Sequence, residues 1–72
     1  MSEWTPIEKS KPDDMQEVLV TWVGYYNNKK EYFVEWGIYD ADDNTFTDYE
    51  GDKHINVIAW MPLPKPYEGE KA

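Results

Sequence analysis

The sequence predicts an all-β or β-rich α+β fold: a small antiparallel sheet of four to five strands, curled into a barrel-like or sandwich-like form. Three observations predict it. Residues 17–26 and 31–39 are two runs rich in β-branched and aromatic residues, the types that fit a pleated, half-buried surface. Between them stands Asn27-Asn28-Lys29-Lys30, and asparagine tolerates the left-handed backbone that tight hairpin turns demand. Two shorter apolar runs follow, each preceded by a cluster of Asp, Asn or Gly, which marks a turn.

Taken in order, residues 4–14 mix Thr5-Pro6, Ser10, Pro12 and two aspartates with little periodicity. This opening segment reads as extended or turn-rich, anchored by Trp4 and Ile7. Residues 17–26 alternate, with Val18, Val20 and Trp22 on one face and Leu19, Thr21 and Val23 on the other. A turn centred on Asn28 and Lys29 folds residues 31–39 straight back and sets Leu19 opposite Ile38, Thr21 opposite Trp36 and Val23 opposite Val34. That face of the hairpin is strongly apolar. The reverse face carries Val18, Val20, Trp22, Phe33 and Tyr39 around Glu35 and Gly37, more apolar than a freely solvated face, so both faces call for cover.

Asp40-Ala41-Asp42-Asp43-Asn44 is a turn by composition. Residues 45–49 follow as a short strand that sets Phe46 across from Gly37. Glu50-Gly51-Asp52-Lys53 supplies the next turn, and residues 54–61 the last strand, through Ile55, Val57 and Ile58. Pro62, Pro64 and Pro66 remove backbone donors and fix φ, so the chain through Tyr67 is expected to be extended, with 68–72 frayed. Residues 1–72 read as one domain with its core within about 4–67.

A chain of 72 residues buries only roughly 60% of the surface its unfolded form exposes, so its core is small. It has no cysteine, which removes disulfides and thiolate metal sites as staples. Aromatic residues make up 17% of the chain, and each buried ring removes on the order of 150–250 Å² from water. Trp4, Trp22, Trp36 and Trp60 are therefore the first candidates for the core.

The formal net charge of −8 disfavours direct nucleic-acid binding, which rests on Lys and Arg displacing counterions. The same charge favours basic protein surfaces and solubility. No apolar run reaches the roughly 20 residues that span a bilayer, and Met1-Ser2-Glu3-Trp4 lacks the basic and apolar regions of a signal peptide. A soluble cytoplasmic protein, without membrane contact, is the expectation.

Chemistry-bearing constellations are sparse. Nucleophilic catalysis needs a base beside the nucleophile, yet the chain has one histidine, His54, and no cysteine, while Ser2 and Ser10 lie in weakly ordered sequence. No catalytic residue is assigned, and His54 reads as a solvated residue at a strand start. Asp40, Asp42 and Asn44 imitate the start of a calcium loop, but its sixth position is Thr45 where glycine is needed and its twelfth is Gly51 where a bidentate glutamate is needed. No metal or cofactor is expected. The candidate binding residues are the acidic group Asp40, Asp42, Asp43, Asp48, Glu50 and Asp52, and the aromatics Trp22, Phe33 and Tyr39. Pro62-Leu63-Pro64-Lys65-Pro66 is a further candidate, either as a polyproline ligand or as a terminus packed on its own core.

Trp4-Thr5-Pro6-Ile7, then Pro12, then Val18-Leu19-Val20, and finally Trp60-Met61-Pro62-Leu63-Pro64 together resemble a family of small bacteriophage and prophage proteins of unknown function. Its members typically close with a Trp-Met-Pro-Leu-Pro signature. The resemblance covers nearly the whole chain, and residues 25–53 carry no motif of it. It implies a phage accessory protein acting in the bacterial host cytoplasm, and no catalytic residues come with it. It also makes Trp4 and Trp60 signature positions, and packing of the two chain ends to close the sheet would explain them.

The resulting expectation is a non-enzymatic interaction module that engages a host or phage protein of basic surface through its acidic residues, as an inhibitor of a host factor would. Self-association through the second apolar face is part of that expectation. The alternative is a small-ligand or nucleotide sponge with an aromatic pocket at an oligomer interface, drawing positive charge from Lys29, Lys30 and Lys53.

Overall fold

The structure, a computed structural model, describes residues 3–64. Among them five strands form: β1 (Thr5–Pro6), β2 (Glu17–Tyr26), β3 (Lys29–Asp40), β4 (Thr45–Thr47) and β5 (Val57–Pro62). They make one antiparallel sheet in the order β1-β5-β2-β3-β4, curled into a half-barrel. The expected all-β antiparallel sheet is thus present, and no helix of the described residues is long and apolar enough to cross a membrane. The expectations for Pro66, for Tyr67 and for 68–72 lie outside the described residues.

The hairpin of β2 and β3 turns one residue earlier than the sequence reading placed it. Asn27 and Asn28 have φ of 52° and 65°, the left-handed values that a two-residue type I′ turn needs at both central positions. Two consecutive asparagines meet that demand with less strain than Asn28-Lys29 would. Leu19 therefore faces Trp36, Thr21 faces Val34 and Val23 faces Tyr32, correcting the expected pairs. The displacement is even, so every side chain keeps its face while its neighbours change. Trp22 now lies opposite Phe33, and the two rings stack with centroids 4.5 Å apart.

The core lies on the face of Val18 and Val20, both fully buried, with Tyr39 and Phe46; Ile7, Trp22, Val57 and Trp60 pack around it. Phe46 stands opposite Tyr39 and not Gly37, because the turn before β4 is tightly closed. Asp40 Oδ1 accepts from the amides of Asp42 and Asp43 at 3.0 and 3.4 Å, and the Tyr39 hydroxyl donates to Asn44 Oδ1 at 2.6 Å. Thr45 consequently pairs with Asp40 directly after the turn.

β5 begins at Val57 and not at residue 54. It is bulged: Thr21 faces Ala59 while Trp22 faces Val57, which leaves Ile58 as the extra residue and 43% exposed. A bulge bends its strand and raises the local twist, which helps the sheet curl. Asn56, at φ 57°, steers the chain into it; its carbonyl accepts from the Val23 amide at 3.1 Å and its side-chain amide donates to the Val23 carbonyl at 3.3 Å.

β1 brings the start of the chain to its end, with Thr5 opposite Trp60. Trp60 Nε1 donates to the Ser10 carbonyl at 3.0 Å, and Pro12 is buried. Pro62 sits inside β5 opposite Val18. The opposite face of the sheet carries Leu19, Trp36, Ile38 and Met61, all half-buried, with Tyr49 stacked on Trp36 at 4.1 Å.

A candidate interaction edge

β4 is three residues long and reaches β3 only at Ile38, Tyr39 and Asp40, so most of the outer edge of β3 has no neighbouring strand among the described residues. Which backbone groups point out follows from the alternation of an antiparallel ladder. Tyr39 turns its own groups toward the β2 side, its amide donating to the Gln16 carbonyl at 3.0 Å and its carbonyl accepting from the Met15 amide at 2.6 Å. Trp36 turns outward, its carbonyl 2.8 Å from His54 Nε2. Counting back in twos, Val34, Tyr32 and Lys30 also present their backbone groups to the open side.

Residues 29–35 are all exposed. Tyr32 and Val34 are 60% and 57% exposed on one face, and Phe33 borders the other. Tyr25 and Tyr26 stand exposed across the turn, and Lys30 Nζ lies 5.7 Å from the centroid of the Tyr32 ring.

His54 ends the open segment. Its side chain is buried, its amide donates to the Phe46 carbonyl at 2.7 Å, and its ring lies against Gly37, where an added Cβ would meet Cδ2 at 3.3 Å. The Trp36 carbonyl can only accept, so Nε2 carries the proton, while Nδ1 faces Glu35 Oε1 at 3.5 Å. The reading of His54 as solvated is thereby corrected: a glycine inside a strand marks close approach of another group, and Gly37 was the available signal.

The acidic candidates fall into two turns. Asp40 caps the first, and Asp14 Oδ1 joins it by accepting from the Ala41 amide at 2.9 Å. Asp48 closes the second, its Oδ1 accepting from the amides of Glu50 and Asp52, each at 2.9 Å. Asp42, Asp43, Glu50 and Asp52 are exposed. No group of three acidic or histidine side chains among the described residues could hold a metal ion. Of the aromatic candidates, Trp22 and Phe33 stack on each other and Tyr39 is buried with its hydroxyl on Asn44. A shallow cavity of about 340 Å³ is lined instead by Val23, Tyr25, Lys30, Asn56, Val57 and Ile58.

A family model described as a protein of unknown function, DUF551, matches residues 3–68. The chain belongs to DUF551. That match bears out the expected membership of an unknown-function family. No curated protein and no solved structure matches the chain.

The DUF551 match takes in all five strands, so the open edge of β3 lies wholly within it. In this DUF551 chain the edge offers main-chain donors and acceptors in a row, flanked by Tyr32 and Val34. That arrangement can form a ladder with any extended strand laid beside it.

Proposed function

We propose that this DUF551 chain is a non-enzymatic protein-interaction module that takes an extended strand of a partner protein onto the free edge of β3. The observation that carries the reading is the continuous exposure of residues 29–35 combined with the outward backbone groups of Tyr32 and Val34. Edges of this kind are normally shortened, covered or charged. Here Lys29, Lys30, Glu31 and Glu35 guard the flanks and leave Tyr32-Phe33-Val34 bare.

Main-chain hydrogen bonds supply affinity in strand addition, and the side chains beside the edge supply selectivity. The net charge of −8 draws basic partners and makes their capture salt-sensitive. In the phage setting that the family resemblance implies, the partner is a host or phage protein of basic surface in the bacterial cytoplasm, and occupation of its extended segment would inhibit it. The small-ligand alternative draws on the cavity beside Lys30.

Panning against a library of random displayed peptides tests the reading. Peptides enriched by the native protein should be lost with Val34→Pro, because the Val34 amide points away from β2 and proline there blocks the edge without breaking the hairpin. Peptides that bind Val34→Pro as well as the native protein would overturn it, as would enrichment that nucleotides compete away.

A further inference from the structure

We propose that the strand filling this edge is β3 of a second copy of the chain, paired antiparallel about a two-fold axis through Tyr32. The inference rests on the open edge argued above and names the strand that occupies it when no host or phage strand is bound. In an antiparallel pair, residues directly opposite each other turn their backbone groups the same way with respect to the ladder. Lys30, Tyr32 and Val34 must therefore meet members of the same set in the partner, so a symmetric pairing has its axis on a single residue.

Charge then selects among those registers. An axis on Phe33 opposes Glu31 to Glu35 twice, and an axis on Glu31 or Lys30 sets a charge against its own copy. An axis on Val34 brings Lys30 opposite Ile38, whose outer side is already paired with Thr47 in β4. The axis on Tyr32 opposes Lys29 to Glu35 twice, sets Lys30 beside Val34, and opposes no like charges.

The same register eases the repulsion between two chains of −8 each. The acidic turns at 40–44 point away from each other at opposite ends of the pair. The turn of each copy, with Lys29 and Lys30, runs up to the partner loop at 48–52, which the stacking of Tyr49 on Trp36 holds at the end of the open segment. Lysines of one copy thus approach Glu50 and Asp52 of the other.

Light scattering of the native protein over a concentration series tests this, with a mass approaching twice the 8.6 kDa chain expected. Lys29→Glu and Glu35→Lys should each raise the dimer dissociation constant about tenfold, by turning two attractive cross-strand pairs into repulsive ones. An equimolar mixture of the two variants should recover the dimer, because the altered charges then oppose each other correctly. Lys29→Glu alters the exposed first residue of β3 and keeps the test valid should Glu35→Lys disturb His54. A native monomer at millimolar concentration, or a mixture that fails to recover, would overturn the second-copy inference. Peptides that bind that monomer and are lost with Val34→Pro would leave the open-edge reading standing. A dimer that persists in Val34→Pro would place the interface elsewhere and overturn the inference.

Discussion

Nε2 of His54 lies 2.8 Å from the carbonyl oxygen of Trp36, and this contact marks where the free edge of β3 stops. Beyond it β4 covers the strand; before it, Val34, Tyr32 and Lys30 face the open side. The ring reaches that carbonyl because residue 37 is glycine, with the space of its missing Cβ filled by His54 Cδ2.

Gly37→Ala should therefore cost stability through His54. A Cβ would sit 3.3 Å from the ring, close enough to push it a few tenths of an ångström and lengthen its 2.8 Å contact with the Trp36 carbonyl, with a loss of about 0.5–1 kcal/mol in urea unfolding. In a His54→Ala background the same change should cost at least about 0.5 kcal/mol less, as expected for residues in contact. Additive losses would show that the ring and the glycine act independently.

At the hairpin tip, Asn28→Gly should hold or raise stability, because glycine takes φ of 65° without strain and Asn-Gly is the favoured type I′ pair. Asn28→Val should cost about 1–2 kcal/mol through the left-handed backbone. Thermal unfolding of both variants checks the contrast.

Asp40 and its neighbours should behave as turn caps. Asp40→Ala removes the acceptor for the amides of Asp42 and Asp43 and should lower stability by about 0.5–2 kcal/mol, by analogy with helix caps. Asp40→Asn keeps the oxygen and should lose less. Asp42→Ala, at an exposed position, should stay within about 0.5 kcal/mol of the native protein.

Trp60→Ala should cost about 3 kcal/mol, toward the lower end for an aromatic because the ring is only half-buried. It also frees the Ser10 carbonyl, which the indole holds at 3.0 Å, so the amides around Ser10 should exchange faster. Retention of full stability would show that Trp60 does not tie the opening segment down.

The strand content was legible because alternation and turn composition act locally. Residues 17–26 and the acidic turn at 40–44 appear where their chemistry placed them. Register was harder: it hinged on which two residues take positive φ, and Asn27-Asn28 against Asn28-Lys29 decides every pair in the hairpin. The start of the last strand was missed because His54 and Ile55 look like strand residues, whereas the bulge and Asn56 are set by contacts with Val23. The open edge was not legible at all. It exists because β4 stops at Thr47 and His54 folds back over Gly37, a long-range contact that only Gly37 hinted at.

Residue-resolved hydrogen exchange on dilute protein tests the open edge most directly. The account predicts alternation along β3: the amides of Phe33 and Glu35, which face β2, exchange slowly, and those of Tyr32 and Val34 exchange fast. Protection of Tyr32 and Val34 in a sample shown to be monomeric, or uniform exchange from 31 to 35, would contradict it.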